Sequence, residues 1–159
     1  MLRTVRLLPS FLFAYAMLAT AAPAFASGPA VRDLAVEDAN RALVLDFYER
    51  FFNRHDVGGA AADVAENYRQ HNPDVPDGKA PFVDYFTHFF KDNPQSRARV
   101  VRSAVDGDLV WLHVHATNGA NDRGQAVLDL FRVKDGKIVE HWDVIQDVPE
   151  EAANDNTMF

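Results

Sequence analysis

From Arg97 to Gln146 the hydrophobic pattern has a period of two, running through "RARVVRSAV", "DLVWLHVHAT", "QAVLDLFRV" and "KIVEHWDVIQ". Turn signals at Asp106-Gly107-Asp108, Asn118 to Gly124 and Asp135-Gly136 separate these runs. Such alternation predicts four half-buried strands in hairpin order, an antiparallel meander with one face that must be covered. The cover lies upstream, where the period is helical. Within Glu37 to Asp56, Leu43, Phe47 and Phe51, and beside them Val44, Tyr48 and Phe52, recur at helical spacing. Residues 57 to 65 predict a second, short helix after a turn marked by Gly58 and Gly59. Ala80 to Lys91 predicts a third, whose broad aromatic face carries Phe82, Tyr85, Phe86, Phe89 and Phe90 and which Asn93-Pro94 ends. Between them Tyr68 to His71 reads as a short strand, and Pro73, Pro76 and Asp77-Gly78 force a loop. Helices followed by a meander give an α+β domain in which the helices cover one face of the sheet.

A chain of 159 residues supports one such domain with its own core. The first segment, "MLRTVRLLPSFLFAYAMLATAAPAFA", has Arg3 and Arg6, then an apolar run, then Ala24-Phe25-Ala26, the pattern of a signal peptide cleaved near Ala26. The expected organisation is a signal peptide at 1–26, a linker at 27–36, a folded domain at 37–147 and a tail at 148–159. Cleavage would leave no membrane anchor and a periplasmic or secreted product. Losing two arginines and no acid takes the formal charge from −7 to −9, which opposes nucleic-acid binding. With no cysteine, the chain has neither a disulfide framework nor thiol catalysis, and stability must come from the core.

The last hairpin carries the candidate chemistry. Reading "VKDGK" as a type I turn with Gly136 in the left-handed position sets Val133 opposite Lys137. Phe131 then faces Val139, Asp129 faces His141 and Val127 faces Asp143. One face reads Val127, Asp129, Phe131, Val139, His141, Asp143 and Ile145, an acid-histidine-acid row among apolar residues. Opposed Cβ atoms lie roughly 5 Å apart, so Asp129 and His141 can bond. The other face reads Leu128, Leu130, Arg132, Ile138, Glu140, Trp142 and Val144, an apolar surface in which Arg132 and Glu140 can pair. A two-residue type I′ turn would instead slip the register by one and carry Asp129 away from His141. On the preceding strand Trp111, His113 and His115 share one parity and Val110, Leu112 and Val114 the other. Placing His113 near Asp129 would collect the polar side chains on one face.

"YRQHNPDVPDG", "LHVH", "LDLFRVKDGKIVEHWDVIQ" and "ANDNTMF" resemble, in order and spacing, the SnoaL-like proteins of the nuclear-transport-factor-2-like fold. The closest branch is that of predicted aldol-condensation-catalysing, polyketide-cyclase-like proteins, and the likeness runs from about Asn40 to Phe159. The resemblance implies a cone-shaped α+β barrel in which a curved antiparallel sheet wraps the first helix and encloses an apolar pocket. It also implies a homodimer through the outer sheet face and chemistry without a cofactor. Relatives of this shape include polyketide cyclases, ketosteroid isomerase, dehydratases and epoxide hydrolases, and also members that only bind or scaffold, so function has to be argued from the site. In the cyclases an acid at the position of the "HWD" stretch serves as general acid/base, which corresponds here to Asp143 and His141.

A histidine beside a carboxylate on a pocket wall suits proton transfer, and proton abstraction next to a carbonyl needs a donor to the developing enolate oxygen. The catalytic candidates are therefore His141, Asp143 and the supporting Asp129, with Tyr48, His71 and Asn72 as candidate donors. Trp111, His113, His115 and Phe131 complete the expected contacts with an apolar or carbonyl-containing small molecule. His71 capping the turn before Pro73 is a second reading of that residue, while Tyr68, Phe82, Phe86 and Phe90 are expected in the core. His113 and His115 with His141 would suit a metal, but no helical His-x-x-x-His accompanies them, and a site without metal is expected. Two functions remain open: a cofactor-independent lyase or isomerase moving a proton on a small carbonyl substrate, and a non-catalytic exported protein that binds an apolar small molecule.

Overall fold

The computed structural model describes residues 32–159, so the expected signal peptide at 1–26 and the start of the linker lie outside the described residues. Asp33 accepts hydrogen bonds from the backbone N–H groups of Ala35 at 3.1 Å and Val36 at 3.2 Å, and so begins helix α1, Leu34–Tyr48. The helix thus starts three residues inside the expected linker, because the cap lies at Asp33 rather than beside Glu37. Glu37 is buried, paired with Arg32, and accepts from the Gly107 N–H at 3.1 Å.

The helix does not run on to Asp56. It widens into a π-helical turn, Glu49–Asn53, a distortion that recurs at functional sites. Asn53 then leaves the helix register to serve an outer strand: it accepts from the Ala98 N–H at 2.9 Å and donates to the Ala98 carbonyl at 3.2 Å. A short helix α2, Val57–Ala60, capped by Asp56, and a 3-10 turn, Ala61–Asp63, lead into strand β1, Val64–Gln70. Helix α3 spans Lys79–Asp92, and the meander follows as β2 Arg97–Asp106, β3 Leu109–Thr117, β4 Gln125–Lys134 and β5 Lys137–Asp147.

The sheet order is β1-β5-β4-β3-β2, with β1 parallel to β5 and the remaining pairs antiparallel. This is the expected α+β arrangement of helices packed on one face of a curved sheet. Val110, Leu112 and Val114 of β3 are fully buried on the inner face, against Val44, Phe47 and Phe51 of the first helical segment. Phe51 stacks on Phe82 of α3 at 4.8 Å, so the aromatic face of α3 closes the layer. Each of these large side chains contributes about 1.5–3 kcal/mol by burial.

The turn of the last hairpin overturns one expectation. Asp135 has φ +52° and Gly136 φ +69°, so the connection is a two-residue loop with both central residues left-handed, and Lys134 faces Lys137. Taken alone, this slip would send His141 to the outer face. A bulge between the Val133–Ile138 and Arg132–Glu140 pairs leaves Val139 as an extra residue, and the ladder resumes with Phe131 opposite His141 and Asp129 opposite Asp143. The inner row of acids and histidine survives with shifted partners: Ile138, expected outside, is fully buried, and Val139 is not part of the inner face.

Candidate functional site

The site grows from two adjacent strand ends. On β5 the bulge returns His141 and Asp143 to the inner face, and on β4 Asp129 lies in the same row. His141 Nε2 is 2.8 Å from Asp129 Oδ1, both side chains being nearly buried, so the bond expected between directly opposed residues forms between diagonal ones. The Tyr48 hydroxyl donates to the other oxygen of Asp129 at 2.7 Å.

Strand β1 supplies what the sequence reading missed. Its parallel pairing sets Gln70 beside His141, with Gln70 Oε1 2.9 Å from His141 Nδ1. The Gln70 amide nitrogen donates to the Tyr68 hydroxyl at 3.2 Å, and Asn72 Nδ2 donates to Asp143 Oδ2 at 2.7 Å. Both nitrogens of His141 are thus engaged by protein groups. Among the described residues Asp143 has only Asn72 as a hydrogen-bond partner, and its second oxygen is unclaimed. The Tyr68 hydroxyl accepts from Gln70 but has no acceptor for its own proton among the described residues.

These groups line a cavity of about 260 Å³ with a large apolar wall, Phe52, Phe82, Phe86, Phe89 and Phe90 from the helical layer and Val127, Phe131 and Ile145 from the sheet, and with further polar lining from Ser96, Arg97, Asn118 and Gln125. Burial, and then the negative charge of Asp129, push the Tyr48 hydroxyl well above the usual tyrosine range. Tyr68 is pushed up in the same way, by burial first and then by Asp129 and Asp143. Both phenols therefore hold their protons and act as donors.

Of the sequence-derived candidates, the structure brings together His141, Asp143, Asp129, Tyr48, Asn72 and Phe131 at the cavity. It does not bring His71, Trp111, His113 or His115 there. His113 pairs with Leu128 and His115 with Ala126, on the outer face, because Val110, Leu112 and Val114 claim the inner parity for the core. The expected approach of His113 to Asp129 is therefore overturned, and so is a cluster of His113 and His115 with His141. His71 also points outward, stacked on Trp142 at 4.6 Å and bonded to Glu140 at 2.9 Å. Tyr68 and the phenylalanines of α3, expected only as core, line the cavity as well. Alternation gave a signal for this: Tyr68, Gln70 and Asn72 share a parity that His71 does not.

Donor atoms of Asp129, His141 and Asp143 lie within 4.8 Å of one another, a set that a metal ion could use. His141 Nε2 and Asp129 Oδ1 already satisfy each other, however, so a cation would have to displace the proton between them.

The SnoaL-like domain family matches residues 44–141, more than half of the sequence, from within α1 to His141. The chain belongs to the SnoaL-like family. No curated protein sequence matches it. Among solved structures, this SnoaL-like protein is similar to one provisionally assigned as a ketosteroid isomerase from Kribbella flavida, with a TM-score of 0.61 and 20% identity over 74% of this chain and 85% of that one. A provisionally assigned polyketide cyclase from Bacillus cereus gives a TM-score of 0.57 and 24% identity over 67% and 74% of the two chains. A SnoaL-like protein of unknown function from Burkholderia thailandensis gives 0.59 and 16% identity over 68% and 96%. At these identities the likeness is one of fold.

The outer sheet face of the SnoaL-like domain carries Trp111, Leu128 and Val144, all well exposed. Arg132 lies over the Trp142 ring at 5.6 Å and bonds Glu140 at 3.0 Å, which realises the expected ion pair. The tail turns back onto this face at one edge, where Phe159 stacks on His115 at 4.1 Å.

Proposed function

We propose that this protein is a cofactor-independent lyase or isomerase that moves a proton next to the carbonyl of a small apolar substrate, as an aldol cyclase does. The observation that carries the reading is the division of labour in the polar row. His141 has both nitrogens occupied, whereas Asp143 has one oxygen held by Asn72 and the other free toward the cavity. Asp143 is therefore the base, and His141 with Asp129 is its electrostatic support.

In this reading Asp143 takes the proton from the carbon next to the carbonyl. The electron pair left behind moves onto the carbonyl oxygen, and the Tyr68 hydroxyl, kept protonated by burial, donates a hydrogen bond to it. In an aldol closure the enolate carbon then bonds to a second carbonyl carbon of the same substrate, and the new alkoxide recovers a proton from Asp143. In an isomerisation the proton returns to a different carbon. The aromatic wall favours a flat, apolar substrate.

The second reading is a pocket that binds such a molecule after export and performs no chemistry. It is favoured by the full satisfaction of His141. A crystal structure with a bicyclic aryl ketone such as a tetralone tests the first against the second. The catalytic reading requires the carbon next to the carbonyl to lie within about 3.5 Å of Asp143, in a geometry ready to react. A ketone bound with that carbon against the phenylalanines of α3 would remove it.

A further inference from the structure

We propose that Gln70 is the positioning residue that sets the protons of the site. Its side-chain amide is oriented by a backbone group: the Asn72 N–H donates at 2.9 Å to Gln70 Oε1, and a backbone N–H can meet only the oxygen end of an amide. The other end is fixed as well, since Gln70 Nε2 donates to the Tyr68 hydroxyl. The same oxygen faces His141 Nδ1 at 2.9 Å. An amide oxygen has no proton to give, so Nδ1 must carry one.

This constrains the rest of the row. With Nδ1 committed to Gln70, proton exchange by the ring runs only through Nε2, and that nitrogen faces Asp129. The Tyr48 hydroxyl holds the other oxygen of Asp129, so a single proton lies between ring and carboxylate and neither group is free to take one from the cavity. Gln70 thereby leaves proton acceptance to Asp143. Without it, the Nε2–H tautomer bonded to Asp129 becomes sufficient, and Nδ1 is left as a bare acceptor. This placement of protons holds for a binding pocket as for an enzyme.

The test is 15N spectroscopy of histidine-labelled full-length protein at neutral pH, with His141 assigned by the signal missing from His141→Gln. The wild type should show a protonated, pyrrole-like Nδ1. In Gln70→Leu that nitrogen should become pyridine-like while Nε2 stays protonated, and Gln70→Glu, which restores an acceptor, should return the wild-type signature. Gln70→Met, which keeps the length of the side chain, replaces the leucine variant if that one fails to fold. A pyridine-like Nδ1 in the wild type overturns the proposal without any variant, and so does an Nδ1 signal unmoved by loss of the Gln70 amide. Proton exchange on a ketone substrate that survives in the wild type and disappears in Asp143→Asn, with the histidine signals unmoved in Gln70→Leu, would retain the enzyme and reject the role of Gln70.

Discussion

The hydroxyl of Tyr48, at the end of α1, donates to Asp129 of β4 at 2.7 Å, a bond that joins the helical layer directly to the acid of the sheet. Asp129 is 5% exposed and has one further partner among the described residues, His141, so the bond is made where water does not readily replace it. Tyr48→Phe keeps the ring packing against Phe52 and removes only the donor. It should cost about 1–3 kcal/mol, the penalty for leaving a buried acceptor short of a partner. Urea unfolding checks this, with the midpoint moving and the slope unchanged. A variant with the wild-type midpoint would mean that Asp129 is not held from the helix.

Tyr68→Phe examines the proposed donor to the enolate oxygen. It should lower kcat for proton exchange on an aryl ketone by about 10²–10³, as removal of one such donor does elsewhere. Apparent ligand affinity should change little, because the aromatic wall is retained. An equal loss in affinity and rate would make Tyr68 a binding residue only.

Glu37 provides a pH signature. The hydrogen bond from Arg32, and after it the Gly107 N–H, hold this carboxyl below the usual glutamate range, although burial acts the other way. A lowered value in the folded state means that its contribution to stability is complete above the unfolded value of about 4.5 and is lost as the pH falls through the folded one. Wild type should therefore melt above Glu37→Gln at neutral pH, with the gap closing below about pH 4.5. Melting temperatures across that range decide it, and a gap independent of pH would contradict the pairing.

For the exposed apolar residues of the outer face we propose a symmetric partner, a second copy of the chain. Leu128 and Val144 pair across β4 and β5, and neither is covered among the described residues. Light scattering at micromolar concentration should give a dimer for the wild type and a monomer for Leu128→Lys. A monomeric wild type would remove the interface and leave the site untouched.

Much of this was written in the sequence, for local reasons. The four strands of the meander are set by alternation and by glycine- and aspartate-marked turns, and both signals lie within ten residues of what they determine. The start of β1 was not legible, because "VAEN" follows an alanine-rich helical stretch without alternation and its partner β5 lies some seventy residues away. The two-residue turn at Asp135-Gly136 had a recognised signature, but the bulge at Val139 had none, since a β-branched residue between Ile138 and Glu140 looks like any strand position. The two departures from the expected register compensate, which is why His141 and Asp129 meet although neither expected pairing was right. His113 and His115 misled because a histidine on a strand carries no sign of which face it takes. The fully buried Val110, Leu112 and Val114 beside them did carry that sign.

The most direct test of the central claim is hydrogen–deuterium exchange at the carbon next to the carbonyl of a bicyclic aryl ketone, followed by NMR in deuterated buffer. Wild type should accelerate exchange over buffer, and Asp143→Asn should lose about 10²–10⁴ of that rate while retaining fold and ketone affinity, the range expected for a general base. His141→Gln should retain a larger share of the rate than Asp143→Asn. Exchange by Asp143→Asn at the wild-type rate would contradict the account.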